Sequence, residues 1–282
     1  MMFHMRYPAV AGAFYPSGAE QLKRSVEDCF RKEAGIPKAG NGKKLLAVVS
    51  PHAGYVYSGG VASYAYKEIA ENYSQPPAFV ILGPNHTGRG SGVALSKEDW
   101  ETPLGVASND IELGKLIQKN SDILDFDEAA HEAEHSIEVQ LPFLQFLYKN
   151  FKFVPICIGL GNYETAEDIA HAVFKASQEA KRDILVIASS DFTHFEDAQS
   201  ARQKDELALE AIKKLDAKLF LNEVETNSIS ICGYAPIMTA IIYSKLKGGK
   251  DARVLKYANS GDVTKDYHEV VAYCSVAFPK QL

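Results

Sequence analysis

The sequence predicts an α/β fold: one domain with a largely parallel central sheet flanked by helices. Three observations predict it. Six short runs are continuously apolar and β-branched, as strands buried on both faces are. Stretches of helical character separate most of them. No linker, internal repeat or low-complexity tract divides residues 1–282. In chain order, an amphipathic helix near 19–33 precedes the strand LLAVVS (45–50), with the polar KAGNGKK (38–44) as a loop between them. A helix over 59–73 leads to FVILG (79–83), and FKFVPICIG (151–159) is followed by a helix over 164–180. ILVIAS (184–189) leads into a long helix over 197–215, and another helix covers 235–246. ARVLKYA (252–258) and VVAYCSVAF (270–278) close the sheet.

Composition narrows the function. With 46% hydrophobic and 23% charged residues the chain reads as a soluble globular protein, and 282 residues can bury a sizeable core. A formal charge of -6 argues against nucleic acid or an anionic membrane surface as partner. The absence of a spanning apolar run and of an apolar stretch near the start predicts neither a membrane helix nor a signal peptide. Four cysteines lie far apart without a CxxC, which suits a reducing cytoplasm.

Polar residues collect where three strands stop. LLAVVS runs into Pro51-His52-Ala53-Gly54, FVILG into Pro84-Asn85-His86, and ILVIAS into Ser190-Asp191-Phe192-Thr193-His194. Ligands of open α/β sheets occupy the crevice beyond the carboxyl ends of the strands, so three histidines placed alike point to one shared site. His52 and His86 read as metal ligands on short turns. Asp191 and His194 form a carboxylate–imidazole pair: His194 is the candidate general acid/base, and Asp191 either orients an imidazole or joins the metal. Cys29, Cys157 and Cys274 fall in apolar stripes and strands and read as core. Cys232 precedes Gly233 and a helix start, where a thiolate is favoured, so it is either a metal ligand or a buried thiol.

The run HEAEH, from His131, matches the H-E-x-x-H pattern of zinc peptidases. That chemistry needs His131 and His135 on one face of a continuous helix. Ser136 reads as the N-cap of a helix carrying Ile137, Leu141, Leu144 and Leu147, with Pro142 tolerated near its start. HEAEH then lies in the loop before the helix, and no joint zinc site forms. His135 and Glu138 read either as pocket groups that orient substrate or as capping and packing groups of that helix.

Together the motifs PHAGYVYSG (51–59), LGPNH (82–86), TPLG (102–105), EHSIEVQLPFLQ (134–145), SSDFTHF (189–195) and ICGYAP (231–236) resemble the Memo family, named for a mediator of cell motility. AGAFYP (11–16) and YANSGD (257–262) extend the resemblance over almost the whole chain. It implies a fold similar to LigB-type class III extradiol dioxygenases, which hold Fe(II) with two His and one carboxylate. It also implies His52, His86 and Cys232 as metal ligands, His194 as acid/base, Asp191 as a further possible ligand, and iron or copper ahead of zinc. Cys232 stands where the dioxygenases place a Glu, which softens the site. The resemblance further implies AMMECR-type and radical-SAM proteins as partners. Two functions follow as expectations. One is a metal-dependent oxidoreductase, dioxygenase-like, acting on a small molecule. The other is a non-catalytic protein that binds a metal, peptide or metabolite in the same pocket.

Overall fold

The computed structural model describes residues 5–38, 40 and 45–280; most of the KAGNGKK loop lies outside them. Its strands are β1 (Met5–Arg6), β2 (Leu45–Ser50), β3 (Ala78–Pro84), β4 (Val93–Leu95), β5 (Asp99–Thr102), β6 (Gly105–Asn109), β7 (Asp125–Phe126), β8 (Lys152–Ile158), β9 (Ile184–Ser189), β10 (His194–Glu196), β11 (Arg253–Asn259) and β12 (Val270–Pro279). Its α-helices are α1 (Ala19–Cys29), α2 (Tyr55–Asn72), α3 (Ile111–Lys119), α4 (Leu141–Leu147), α5 (Tyr163–Glu179), α6 (Ala198–Lys213), α7 (Ala217–Thr226), α8 (Tyr234–Leu246) and α9 (Gly261–Thr264).

The centre of the sheet is the parallel set β8-β3-β9-β2, and β6 joins it in parallel beyond β8. Beyond β2 the sheet turns antiparallel through β12, which also carries β10 and β11. Residues alternate between two cores, as the period of two demands. Val80, Leu82, Val154, Ile156, Val186 and Ala188 face α5 and α8. Phe79, Ile81, Phe153, Leu185 and Ile187 face the layer formed by α1, α2 and α4. Helices therefore cover both faces, and the α/β architecture is as the apolar runs predicted.

Three local readings change. ARVLKYA gives strand β11 from Arg253, but none of the strand's residues is buried, because among the described residues β12 alone pairs with it. The helix predicted over 197–215 ends at Lys213, and a further helix, α7, follows with Asp216 as its N-cap. The helix expected from Ser136 begins at Leu141, with Pro142 in its first turn where a missing amide costs nothing. Ser136 does not cap it: its hydroxyl donates to the Pro84 carbonyl at 3.0 Å. No described helix is long and apolar enough to cross a membrane.

Candidate metal centre

The order β3-β9-β2 brings three strand ends side by side, with Ser50 paired to Ser189 and Leu82 to Ala188. The chain leaves each strand within two residues of His52, His86 or Asp191, so these groups meet above the central edge of the sheet. A fourth segment, the loop before α4, crosses over the end of β3. It can do so because residue 83 is glycine: a Cβ there would stand 2.3 Å from Ser136 Oγ and 2.7 Å from the Ile137 side chain. That close approach delivers His135. One ligand nitrogen each from His52, His86 and His135 lie within 4.8 Å of one another.

Hydrogen bonds orient these imidazoles, and for His52 they fix the tautomer. The Ser189 hydroxyl gives its one proton to the Ser136 carbonyl at 2.6 Å, so it accepts from Gln140 Nε2 at 2.8 Å and from His52 Nδ1 at 2.9 Å. His52 Nδ1 thus carries the hydrogen and Nε2 is bare. Burial, reinforced by the neighbouring His135, His86 and His194, holds the His52 pKa well below its usual value, so the ring is neutral. His86 Nδ1 donates to Glu134 Oε1 at 3.0 Å, which orients the ring. His135 Nδ1 lies 3.4 Å from the same oxygen, and burial depresses its pKa.

Glu134 organises this half of the site. Its carboxylate also accepts the backbone amides of His86 (2.6 Å), His135 (2.8 Å) and Ser136 (2.8 Å). Burial works to raise its pKa, but the hydrogen bond and charge of His86, with the Ser136 amide and His135, hold it down at about 2. A buried, ionised, acceptor-only carboxylate behind two imidazoles is the usual support of a metal-binding histidine. Sequence reasoning missed it. The signal was its place directly before His135, but Glu132 drew attention because it fits the peptidase pattern. Glu132 is exposed and paired with Arg89.

The remaining predicted residues divide. Asp191 is buried beside the cluster: Oδ1 accepts the His52 amide at 2.8 Å, and Oδ2 is 4.0 Å from His52 Nε2. Burial pushes its pKa up to about 6 against the pull of the His52 amide. Cys232 Sγ is 3.2 Å from His52 Nε2 and accepts the Asp191 amide. Its loop is drawn in by Gly233, where a Cβ would stand 2.4 Å from the Ser189 carbonyl oxygen. The nitrogen cluster consists of His52, His86 and His135, the last read in the sequence either as a pocket group or as a helix-packing group, and Cys232 adjoins it through His52. The helix start was expected to favour a thiolate, but burial and the adjacent Asp191 push the thiol pKa far up. His194 is anchored by Ser230: its amide meets the hydroxyl, and Nδ1 donates to the carbonyl at 2.8 Å.

Glu138 does not line the site. Fully buried, it pairs with Arg6 at 2.6 Å and accepts the amides of Ala9 and Val10 and the Tyr15 hydroxyl, so its oxygens are committed to packing the N-terminal segment. Arg6 also donates to the His131 and Glu134 carbonyls and stacks on Trp100, which pins the whole 131–138 loop. His131 points into that layer, with Nε2 3.1 Å from the Ala94 carbonyl and its ring against Trp100. His131 and His135 share no helix face, and no zinc-peptidase pair forms.

The family description "Memo-like protein" matches residues 6–277. The chain belongs to the Memo family. A "MEMO1 family protein" of Methanococcus maripaludis is 46% identical over 279 residues, covering 96% of this chain and 98% of that protein. Another from Methanopyrus kandleri is 44% identical, covering 97% and 98%. A solved structure of an uncharacterized protein from Escherichia coli K12 has a TM-score of 0.54 at 13% identity, covering 83% of this chain and all of that one, and is a likeness of fold alone. On this Memo chain the residues fit a metal: three imidazoles bring ligand nitrogens within 4.8 Å of one another, and His52 and His86 each have Nδ1 engaged by a hydrogen bond.

Proposed function

We propose that this chain is a metal-dependent oxidoreductase in which His52, His86 and His135 hold iron or copper and an unidentified small molecule reacts beside them. One observation carries the reading: three imidazole nitrogens lie within 4.8 Å of one another, with Asp191 and Cys232 beside His52. Three nitrogen ligands leave positions for substrate on a metal of higher coordination number. When bound, such a metal supplies a Lewis acid and a one-electron couple. The protein's own groups do the rest. His194, with Nδ1 held by Ser230, presents Nε2 to take or return a proton. Asp191 fixes the turn that carries His52. Phe14 packs against the His135 ring, 4.7 Å between centres.

A second reading, metal or metabolite binding without turnover, is favoured by the 3.2 Å contact of Cys232 with His52. A thiolate there as fourth ligand would close the site. Both readings are tested by purifying the protein without oxygen, loading separate samples with Fe(II) and Cu(I), and adding nitric oxide to the iron form. The enzyme reading expects one iron per chain and a ferrous-nitrosyl signal in electron paramagnetic resonance. Iron bound with no nitrosyl signal would favour the closed, non-catalytic site, and no iron or copper retained would sink both.

A further inference from the structure

Asp205 on α6 is a fully buried carboxylate, and no ion pair joins it among the described residues. Burying a charge without a counter-ion is costly, and an apolar side chain in its place would avoid that cost. Its oxygens are instead met by three donors. Oδ1 accepts the Thr193 amide at 3.2 Å and the Thr193 hydroxyl at 2.7 Å; Oδ2 accepts the Tyr257 hydroxyl at 2.7 Å. Thr193 belongs to SSDFTHF and Tyr257 to YANSGD, so one carboxylate ties two motifs that the metal cluster leaves unexplained. The Arg202 guanidinium covers the Tyr257 ring, 4.3 Å from its centre.

The residue held by Asp205 is the neighbour of His194. Thr193 is fixed from the other side as well, its carbonyl accepting the Ala272 amide of β12 at 2.8 Å. Immediately after His194 the backbone turns left-handed at Phe195, with φ 59°, a conformation that a bulky residue adopts only where its surroundings impose it. Between these two constraints His194 is left one position, with its amide on the Ser230 hydroxyl and Nδ1 on the Ser230 carbonyl.

We propose that Asp205 is a positioning residue: through Thr193 it fixes the backbone at His194, so that Nδ1–H meets the Ser230 carbonyl. This rests on the reading of His194 as acid/base for its purpose, but not for its test. The test is long-range ¹H–¹⁵N NMR of the histidine rings in the metal-free full chain, with the His194 signal assigned by its loss in His194→Gln. The parent should show His194 as the Nδ1–H form. Asp205→Ala, and Thr193→Val to a lesser degree, should move roughly half or more of His194 to the Nε2–H form. Asp205→Asn should restore the parent pattern, because its amide oxygen still accepts from Thr193. A general structural role would not be repaired in this way. Should Asp205→Ala fail to fold, Thr193→Val and Tyr257→Phe carry the comparison. An unchanged His194 tautomer in folded Asp205→Ala, or in both substitutes, overturns the proposal and leaves the acid/base reading standing.

Discussion

His86 and His135 stack face to face, 4.6 Å between ring centres and 20° between planes, with one oxygen of Glu134 behind both. Their order comes from the carboxylate. Glu134→Gln would replace one acceptor oxygen by an NH₂ group facing amides and imidazoles that must donate. Metal affinity should fall about 10–100-fold. Zn(II) titration calorimetry on parent and variant checks this, and equal affinities would remove Glu134 from the centre.

The two histidines of the peptidase-like run should behave oppositely. His135→Ala should abolish stoichiometric metal retention, whereas His131→Ala should keep the metal and lower stability by about 1–3 kcal/mol through the lost Ala94 hydrogen bond and Trp100 contact. Glu132→Ala, on an exposed ion pair, should change stability by less than about 0.5 kcal/mol. Elemental analysis alongside thermal melts separates these outcomes.

Cys232→Ser should bind the metal more tightly than His135→Ala does, since the thiol adjoins the nitrogen cluster without belonging to it. Should Cys232→Ser instead lose the metal as completely as His135→Ala, the thiolate is a ligand and the His52-His86-Cys232 set is restored.

Gly83→Ala should cost about 1–3 kcal/mol, because the added methyl overlaps Ser136 and Ile137 in a packed layer. Since the same loop carries His135, metal retention should weaken with stability. Denaturant unfolding with metal analysis checks both, and a neutral substitution would show that the loop rides on β3 less tightly.

Asp205 gives a pH dependence of definite sign. Burial raises its pKa from 3.8 to about 6, partly offset by Thr193 and Tyr257, so the folded state holds this proton more tightly than the unfolded one. Its contribution to stability is fully present below the unfolded value and is lost as pH rises through about 6. Relative to the parent, Asp205→Asn should therefore gain on the order of 3 kcal/mol between pH 4 and pH 7. Urea unfolding of the metal-free proteins across that range measures it. A difference independent of pH would mean that Asp205 ionises normally.

Much of this protein is local in origin and was legible in the sequence. LLAVVS, FVILG and ILVIAS make central strands because continuous β-branched runs can be satisfied only with both faces covered, and their carboxyl ends carry His52, His86 and Asp191. The motifs likewise sufficed for the family. What the chain order could not reveal was which distant groups would share a lone pair. Glu134 and His86 are 48 residues apart, and the contact exists because Gly83 lets a loop cross its strand end. The same crossing set His135 beside His52 and His86, and Arg6 drew Glu138 away into packing. Helix and strand follow from periodicity along the chain, whereas hydrogen-bond partners follow from the approach of segments far apart in it. That approach is decided by the packing of the whole sheet.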